Sequence, residues 1–308
     1  MRGWLLVLSC WLLVGQARAG VYYVTVAGLG GEPDYEQRFA AAAKDLDRVF
    51  KGAGSGAHVV TLSGKDATRV QLTEALAGVA RDAKAEDDFV LVLIGHGSFD
   101  GTEYKLNLVG PDVSGSELAA MCDRIAARRQ LIVDTTSASG GAVAALRRQG
   151  RGVVAATKTG TEKNATVFAR YWVEGLQDPA VDVDKSDSVS ALEAFQYADR
   201  KTAAFYESQK RLATEHAVFE DTGRGEAVRS ATGSEGMLLS SFTVLRTGAS
   251  QKAANDPARQ ALLAKKEELE QKIDVLKYGK AAMDPAEYKK QLTETLVQLA
   301  QTQQELDK

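Results

Sequence analysis

Phe89-Val90-Leu91-Val92-Leu93-Ile94-Gly95-His96-Gly97-Ser98 is the stretch that decides how this chain of 308 residues folds. Six apolar residues in a row leave no polar face, so the segment predicts a strand buried on both sides, in the middle of a parallel sheet. Working outward, apolar strand-like runs alternate with amphipathic helical stretches, the pattern of a parallel sheet covered by helices. Val21–Ala27 predicts the first strand, a helix follows over 34–50, His58–Leu62 predicts a second strand, and a helix is expected over 67–83. Beyond the opening stretch come a polar excursion over 104–109, a helix over 116–127, a strand at Leu131-Ile132-Val133, a helix over 141–148 and a strand over 153–157. Residues 165–220 are expected to be largely helical, and Met237–Leu245 to supply the last strand.

Both ends of the chain differ from this body. Arg2, the apolar run Trp4–Val14 and Ala17-Arg18-Ala19 before Gly20 predict a secretory signal over 1–19, cleaved after Ala19, and hence an exported protein, periplasmic or secreted. The run is short for a bilayer span, so no membrane span is expected after cleavage. Residues 20–249 are assigned to one α/β domain. Residues 250–308, rich in Lys, Glu, Gln, Ala and Leu, carry two stripes: Leu262, Leu269, Ile273 and Leu276, then Tyr288, Leu292, Leu296, Leu299 and Leu306. Gly279 and Pro285 bracket a turn between them, which predicts an antiparallel helical hairpin. It either packs on its own domain or serves as an arm for homo-oligomerisation.

Composition narrows the partners. Once Arg2 and Arg18 leave, 41 acidic residues face 36 basic ones, with no long basic run, so neither nucleic acid nor an anionic membrane is an expected partner. Cys122 is then the only cysteine, which excludes an internal disulfide and a cysteine metal cluster. Gly28-Leu29-Gly30-Gly31 lacks the rest of a dinucleotide fingerprint, and no such cofactor is expected.

The chemistry-bearing residues sit at strand ends, where an open parallel sheet places its sites. Val26-Ala27-Gly28 with Asp34-Tyr35, then Gly95-His96-Gly97-Ser98, then Ser137-Ala138-Ser139-Gly140 recur in this order in legumains, with a similar separation of 41 residues between His96 and Ser137. On these motifs, which cover most of residues 21–160, the chain resembles the legumain/caspase-like cysteine peptidases. The resemblance implies a caspase-like three-layer αβα sandwich with a mostly parallel sheet, to which the helical hairpin is added. It also implies His96 as general acid/base, the Ser137 position as nucleophile, and backbone N–H groups of Gly97 and Ser137 as the oxyanion hole.

The family uses cysteine where this chain has Ser137. A serine hydroxyl needs a base in contact with it and a third group orienting that base, and strand alternation turns Asp134 away from Ser137. The expected function is therefore that of a pseudopeptidase binding peptide or protein, the alternatives being an active hydrolase using Ser137 with His96 and a scaffold acting through the hairpin. Legumains carry a basic residue after the tyrosine that opens the first helix; here Glu36 stands there, so their asparagine preference does not transfer.

Asp182-Val183-Asp184-Lys185-Ser186-Asp187-Ser188-Val189-Ser190-Ala191-Leu192-Glu193 matches the ligand spacing of an EF-hand loop. It predicts a structural calcium ion held by Asp182, Asp184, Ser186, the Ser188 carbonyl and Glu193. Asp187 stands where the template has glycine, and the other reading is an acidic loop capping the next helix.

Overall fold

The structure, a computed structural model, describes residues 19–54, 56–254, 256 and 258–308. The expected signal segment lies outside the described residues except for Ala19. In chain order the elements are β1 (Val21–Ala27), α1 (Pro33–Lys51), β2 (Ala57–Leu62), α2 (Arg69–Asp82), β3 (Asp88–Ile94), β4 (Gly97–Phe99), β5 (Tyr104–Leu106), β6 (Val113–Ser114), α3 (Gly115–Cys122) and β7 (Arg129–Asp134). Then come α4 (Val143–Leu146), β8 (Arg151–Ala155), α5 (Phe168–Gly175), β9 (Ser188–Ser190), α6 (Ala191–Ser208), β10 (Val218–Glu220), α7 (Met237–Ser241), β11 (Thr243–Arg246), α8 (Gly248–Ala254), α9 (Gln260–Gly279) and α10 (Pro285–Leu306).

The main sheet runs β10-β8-β7-β3-β1-β2, parallel except for β10, which pairs antiparallel with β8. β3 lies between β1 and β7, as its unbroken apolar run predicts, and every residue of it is buried. Its pleat sends Val90, Val92 and Ile94 to one face and Phe89, Leu91 and Leu93 to the other. The first face is covered by α1, α5 and α6 through Leu46, Phe50, Phe168, Trp172 and Phe195; the second by α2, α3 and α4 through Leu72, Leu76, Leu118 and Leu146. This is the three-layer α/β arrangement expected from the sequence. At about 1.5–3 kcal/mol for each large apolar side chain taken out of water, the six of β3 alone are a major term in stability.

Three expectations are corrected. Met237–Leu245 is not one strand: Met237–Ser241 is helical, because Asp221 accepts the N–H groups of Gly236, Leu238 and Leu239 at 2.9, 2.9 and 3.2 Å and so caps that turn. The remainder of the segment enters β11, which pairs with β9 in a separate two-stranded sheet. The sixth strand of the main sheet is instead β10, at the end of the 165–220 stretch expected to be largely helical, and its outer side is bridged by Val228 through two 2.8 Å bonds with Phe219.

The third correction concerns the C-terminal hairpin. Its two helices form and turn between Gly279 and Pro285, but α9 buries Leu263, Lys266, Leu269, Ile273 and Leu276, with Leu262 only half-buried. In α10 the fully buried positions are Thr295, Thr302 and Leu306, while Leu296 and Val297 are exposed. The hairpin is docked on its own domain: Arg246 pairs with Glu267 at 2.8 Å, and the buried Lys266 ammonium donates to the Ser186 carbonyl and, at 3.4 Å, to the Ser250 hydroxyl. Lys266→Ala leaves that carbonyl without its cationic donor, at a cost of about 1–3 kcal/mol. Limited proteolysis should show the 260–308 segment released earlier in this variant than in the wild type; equal cleavage rates would mean that the lysine does not hold the hairpin down.

Candidate functional site

The carboxyl ends of β1, β3 and β7 converge on one crevice. Gly28 N–H donates to the Ile94 carbonyl at 2.8 Å and Thr135 N–H to the Leu93 carbonyl at 2.9 Å, which ties the three strand ends together. Gly95 makes the turn out of β3 with φ at 143°, its Cα side pressed against Gly28, and this delivers His96 to the rim.

The His96 ring packs edge-on against Tyr35 and Phe39 of α1, centroid to centroid 4.7 and 5.2 Å. Partial burial holds the imidazole below its ordinary pKa; a bond to the Gly30 backbone opposes this, Arg38 adds to it, and Glu32 and Glu36 oppose it. His96 is accordingly neutral near pH 7. Glu36, which stands where legumains carry a basic residue, accepts the Gly30 and Gly31 N–H groups at 2.8 and 3.2 Å and fixes the turn in front of His96.

Ser137 follows β7 and is 2% exposed. Its hydroxyl donates to the Gly97 carbonyl at 3.0 Å and accepts the Gly97 N–H at 3.1 Å. Its proton is therefore engaged with a backbone carbonyl, and no hydrogen bond joins it to His96 among the described residues. The structure thus brings Ser137 against Gly97, the residue next to His96, and places one of the two implied oxyanion donors on the serine's own oxygen. The bare face of Gly97 is filled by the chain itself: a Cβ there would lie 2.4 Å from the Ser137 carbonyl, 2.5 Å from the Tyr104 ring and 2.6 Å from the Thr136 hydroxyl. Ala138, the next residue, is buried with φ at 59°, a left-handed conformation costing about 1–2 kcal/mol outside glycine.

Beneath this turn lies a polar cluster that the sequence did not disclose. Thr136 donates its hydroxyl to Asp134 at 2.7 Å and lies 2.7 Å from the Tyr104 hydroxyl, and the Thr136 N–H also reaches Asp134, at 3.1 Å. Asp134 is fully buried, its other carboxyl oxygen has no partner, and burial pushes its pKa up to about 6 against the bonds from Thr136. Its spacing from Thr136 is an Asx-type signal, but only the fold brings in Tyr104 from β5.

A cavity of about 360 Å³ opens behind Tyr35 and Phe39, the two rings against which His96 packs. Its walls are mostly apolar, with Ala42, Ile94, Val167, Val173 and Phe205 among them, and Arg38, Arg170 and Asp45 also stand in its lining. Cys122 is remote from all of this, in the core under the second face, where burial pushes its thiol up to about 12.

The other predicted set lies on the loop into α6. Asp182, Asp184 and Glu193 bring one carboxyl oxygen each within 4.8 Å of one another. Asp187 adopts φ 58°, the left-handed turn for which the template uses glycine. Ser186 and Ser188 point their hydroxyls at each other, 2.8 Å apart. The acids also serve the loop itself: Asp182 accepts the N–H groups of Ser186 and Asp187 at 3.0 and 3.1 Å, and Glu193 closes a capping box with Ser190 while accepting the Val183 N–H at 2.9 Å.

No family model matches the chain, and no curated protein matches it. Among solved structures, it is similar to the initiator caspase Dronc of Drosophila, at 12% identity over 68% of this chain and 81% of that one, with a TM-score of 0.45. It is also similar to protein GSU0716 from Geobacter sulfurreducens (14% identity, 66% and 93% covered, TM-score 0.45) and to caspase-1 from Spodoptera frugiperda (11% identity, 67% and 87% covered, TM-score 0.47). At these values the likeness transfers no residue role.

Two measurements test the site's electrostatics. Because Asp134 holds its proton more tightly folded than unfolded, its contribution to stability is full below about pH 4 and is lost as pH rises through about 6. Asp134→Asn should therefore stabilise the protein at pH 7.5 by up to about 3 kcal/mol, and by much less at pH 4.5, in urea melts. A gain independent of pH would mean that the carboxyl is not the titrating group. For the 182–193 loop, a cation held by its three carboxylates should raise the melting temperature in calcium over chelator, an increase removed by Asp184→Asn. An unchanged melting point would leave these acids as the loop's own N–H acceptors.

Proposed function

We propose that this protein is an exported, peptide-binding pseudopeptidase of the legumain/caspase-like type, in which the cleft is kept and the cleavage step is given up. The observation that carries this reading is the reciprocal pair of bonds between the Ser137 hydroxyl and the Gly97 backbone. A serine nucleophile must hand its proton to a base as it attacks, and here that proton is directed to the Gly97 carbonyl, while the His96 ring packs against two aromatic rings. The ordered strand-end motifs support the family assignment, and the sheet's carboxyl edge is where such a fold binds its ligands.

Binding has a physical seat. The cavity behind Tyr35 and Phe39 has room for a bulky apolar side chain of an extended peptide, and two arginines against one acid, Asp45, in its lining favour an acidic neighbour in that peptide. The glycine turn fixed by Glu36 would lie alongside the bound backbone.

The test is a fluorescent peptide library offered to the protein, to Ser137→Ala and to Ser137→Cys, read for both cleavage and fluorescence polarisation. Binding without cleavage by the wild type, unaffected by Ser137→Ala and weakened at least tenfold by Ala42→Trp, is the expected result. Cleavage by the wild type that Ser137→Ala abolishes would make the protein a serine-variant hydrolase instead. Absence of binding by all three forms would remove the cleft from its function.

A further inference from the structure

Ala19 is exposed and Gly20, the next residue, is already buried. The fold takes hold of the chain at this residue: the Gly20 carbonyl accepts the Asp88 N–H at 3.0 Å, and Val21 N–H donates to the Gly56 carbonyl at 2.9 Å. The Gly20 nitrogen donates to Oδ1 of Asp87 at 2.6 Å in a buried bond, and the other oxygen of that carboxylate accepts the Lys84 N–H at 2.7 Å. Asp87 is 6% exposed and has no ion-pair partner among the described residues. A carboxylate taken out of water and met only by two backbone N–H groups is short of one positive charge.

That charge is available from the chain itself. Hydrolysis of the Ala19–Gly20 bond by a leader-cleaving peptidase of the export route breaks the C–N bond and adds one water: the oxygen stays on the Ala19 carboxylate and the Gly20 nitrogen becomes an ammonium. We infer that Ala19–Gly20 is the processing point and that the Gly20 α-ammonium released there closes a buried ion pair with Asp87, locking the start of β1 to the start of β3. This rests on the export reading for the cut, but not for the pairing. The sequence marks the bond by Ala17-Arg18-Ala19, and the fold marks it independently by seating the first residue after it on a buried acid. Maturation then strengthens the junction of two adjacent parallel strands, because the released ammonium puts a full positive charge where the uncut amide offers only a dipole to the same buried carboxylate.

The experiment separates the two parts. The protein is produced with a removable leader whose specific protease leaves Gly20 as the first residue, and the same preparation is melted before and after the cut. The cut should raise the melting temperature by about 3 °C or more, a gain abolished by acetylating the new amine and absent in Asp87→Asn. Equal melting of the cut and uncut wild type overturns the ion pair, whatever the variant does. Separately, the intact mass of the chain recovered after export from a secreting host should begin at Gly20; another first residue, or an uncut chain, overturns the processing point.

Discussion

Burying β3 on both faces is the constraint on which the rest of the structure depends. A strand with no polar face cannot lie at the edge of a sheet or on a solvated surface, so it recruits a neighbour on each side and a layer of helices above and below. β1 and β7 are those neighbours, and their carboxyl ends are thereby forced into one crevice with Gly95 and His96. The position of the site is thus a by-product of core formation. The glycines at the strand ends do the remaining work: a Cβ on Gly28 would lie 2.3 Å from the Asn107 carbonyl, and Gly95 turns with φ at 143°.

Within that crevice the polar groups are satisfied by the protein itself. Ser137 and Glu36 bind backbone groups, of Gly97 and of the glycine turn, and the Thr136 hydroxyl binds the Asp134 carboxylate. A working hydrolase keeps its donors free for the oxyanion and its hydroxyl aimed at a base; this arrangement resembles a closed circuit. The buried Asp134, with one oxygen unpartnered, is an exception, lying beneath the Ser137 turn.

The sequence discloses these features unevenly. β1, β3, β7 and β8 are legible because a fully apolar run between turn signals has few alternatives. Met237–Ser241 resembles the beginning of a strand because Met237-Leu238-Leu239 leads toward Phe242 and Val244, and the group that makes it helical is Asp221, far back in the chain. β10 is hidden because its three residues are embedded in a polar loop. The stripe on α10 is visible as apolar, but which of its sides faces α9 depends on how the helices roll against each other, and Leu296 falls outside. His96 and Ser137 are recognisable as a pair by resemblance. That the serine is bound by Gly97 cannot be read, because the bond joins groups 40 residues apart with no side-chain signal at the glycine.

The bridge between Phe219 and Val228 has a consequence for how copies of this protein can meet. β10 is short, antiparallel and at one border of the sheet, where unsatisfied N–H and C=O groups would invite another chain to add itself. The strand's own continuation folds back and occupies that border through both Phe219 bonds. Growth of the sheet from this side is therefore blocked by a plug from the same molecule, so that self-association by strand addition here would first require peeling the 228 segment away.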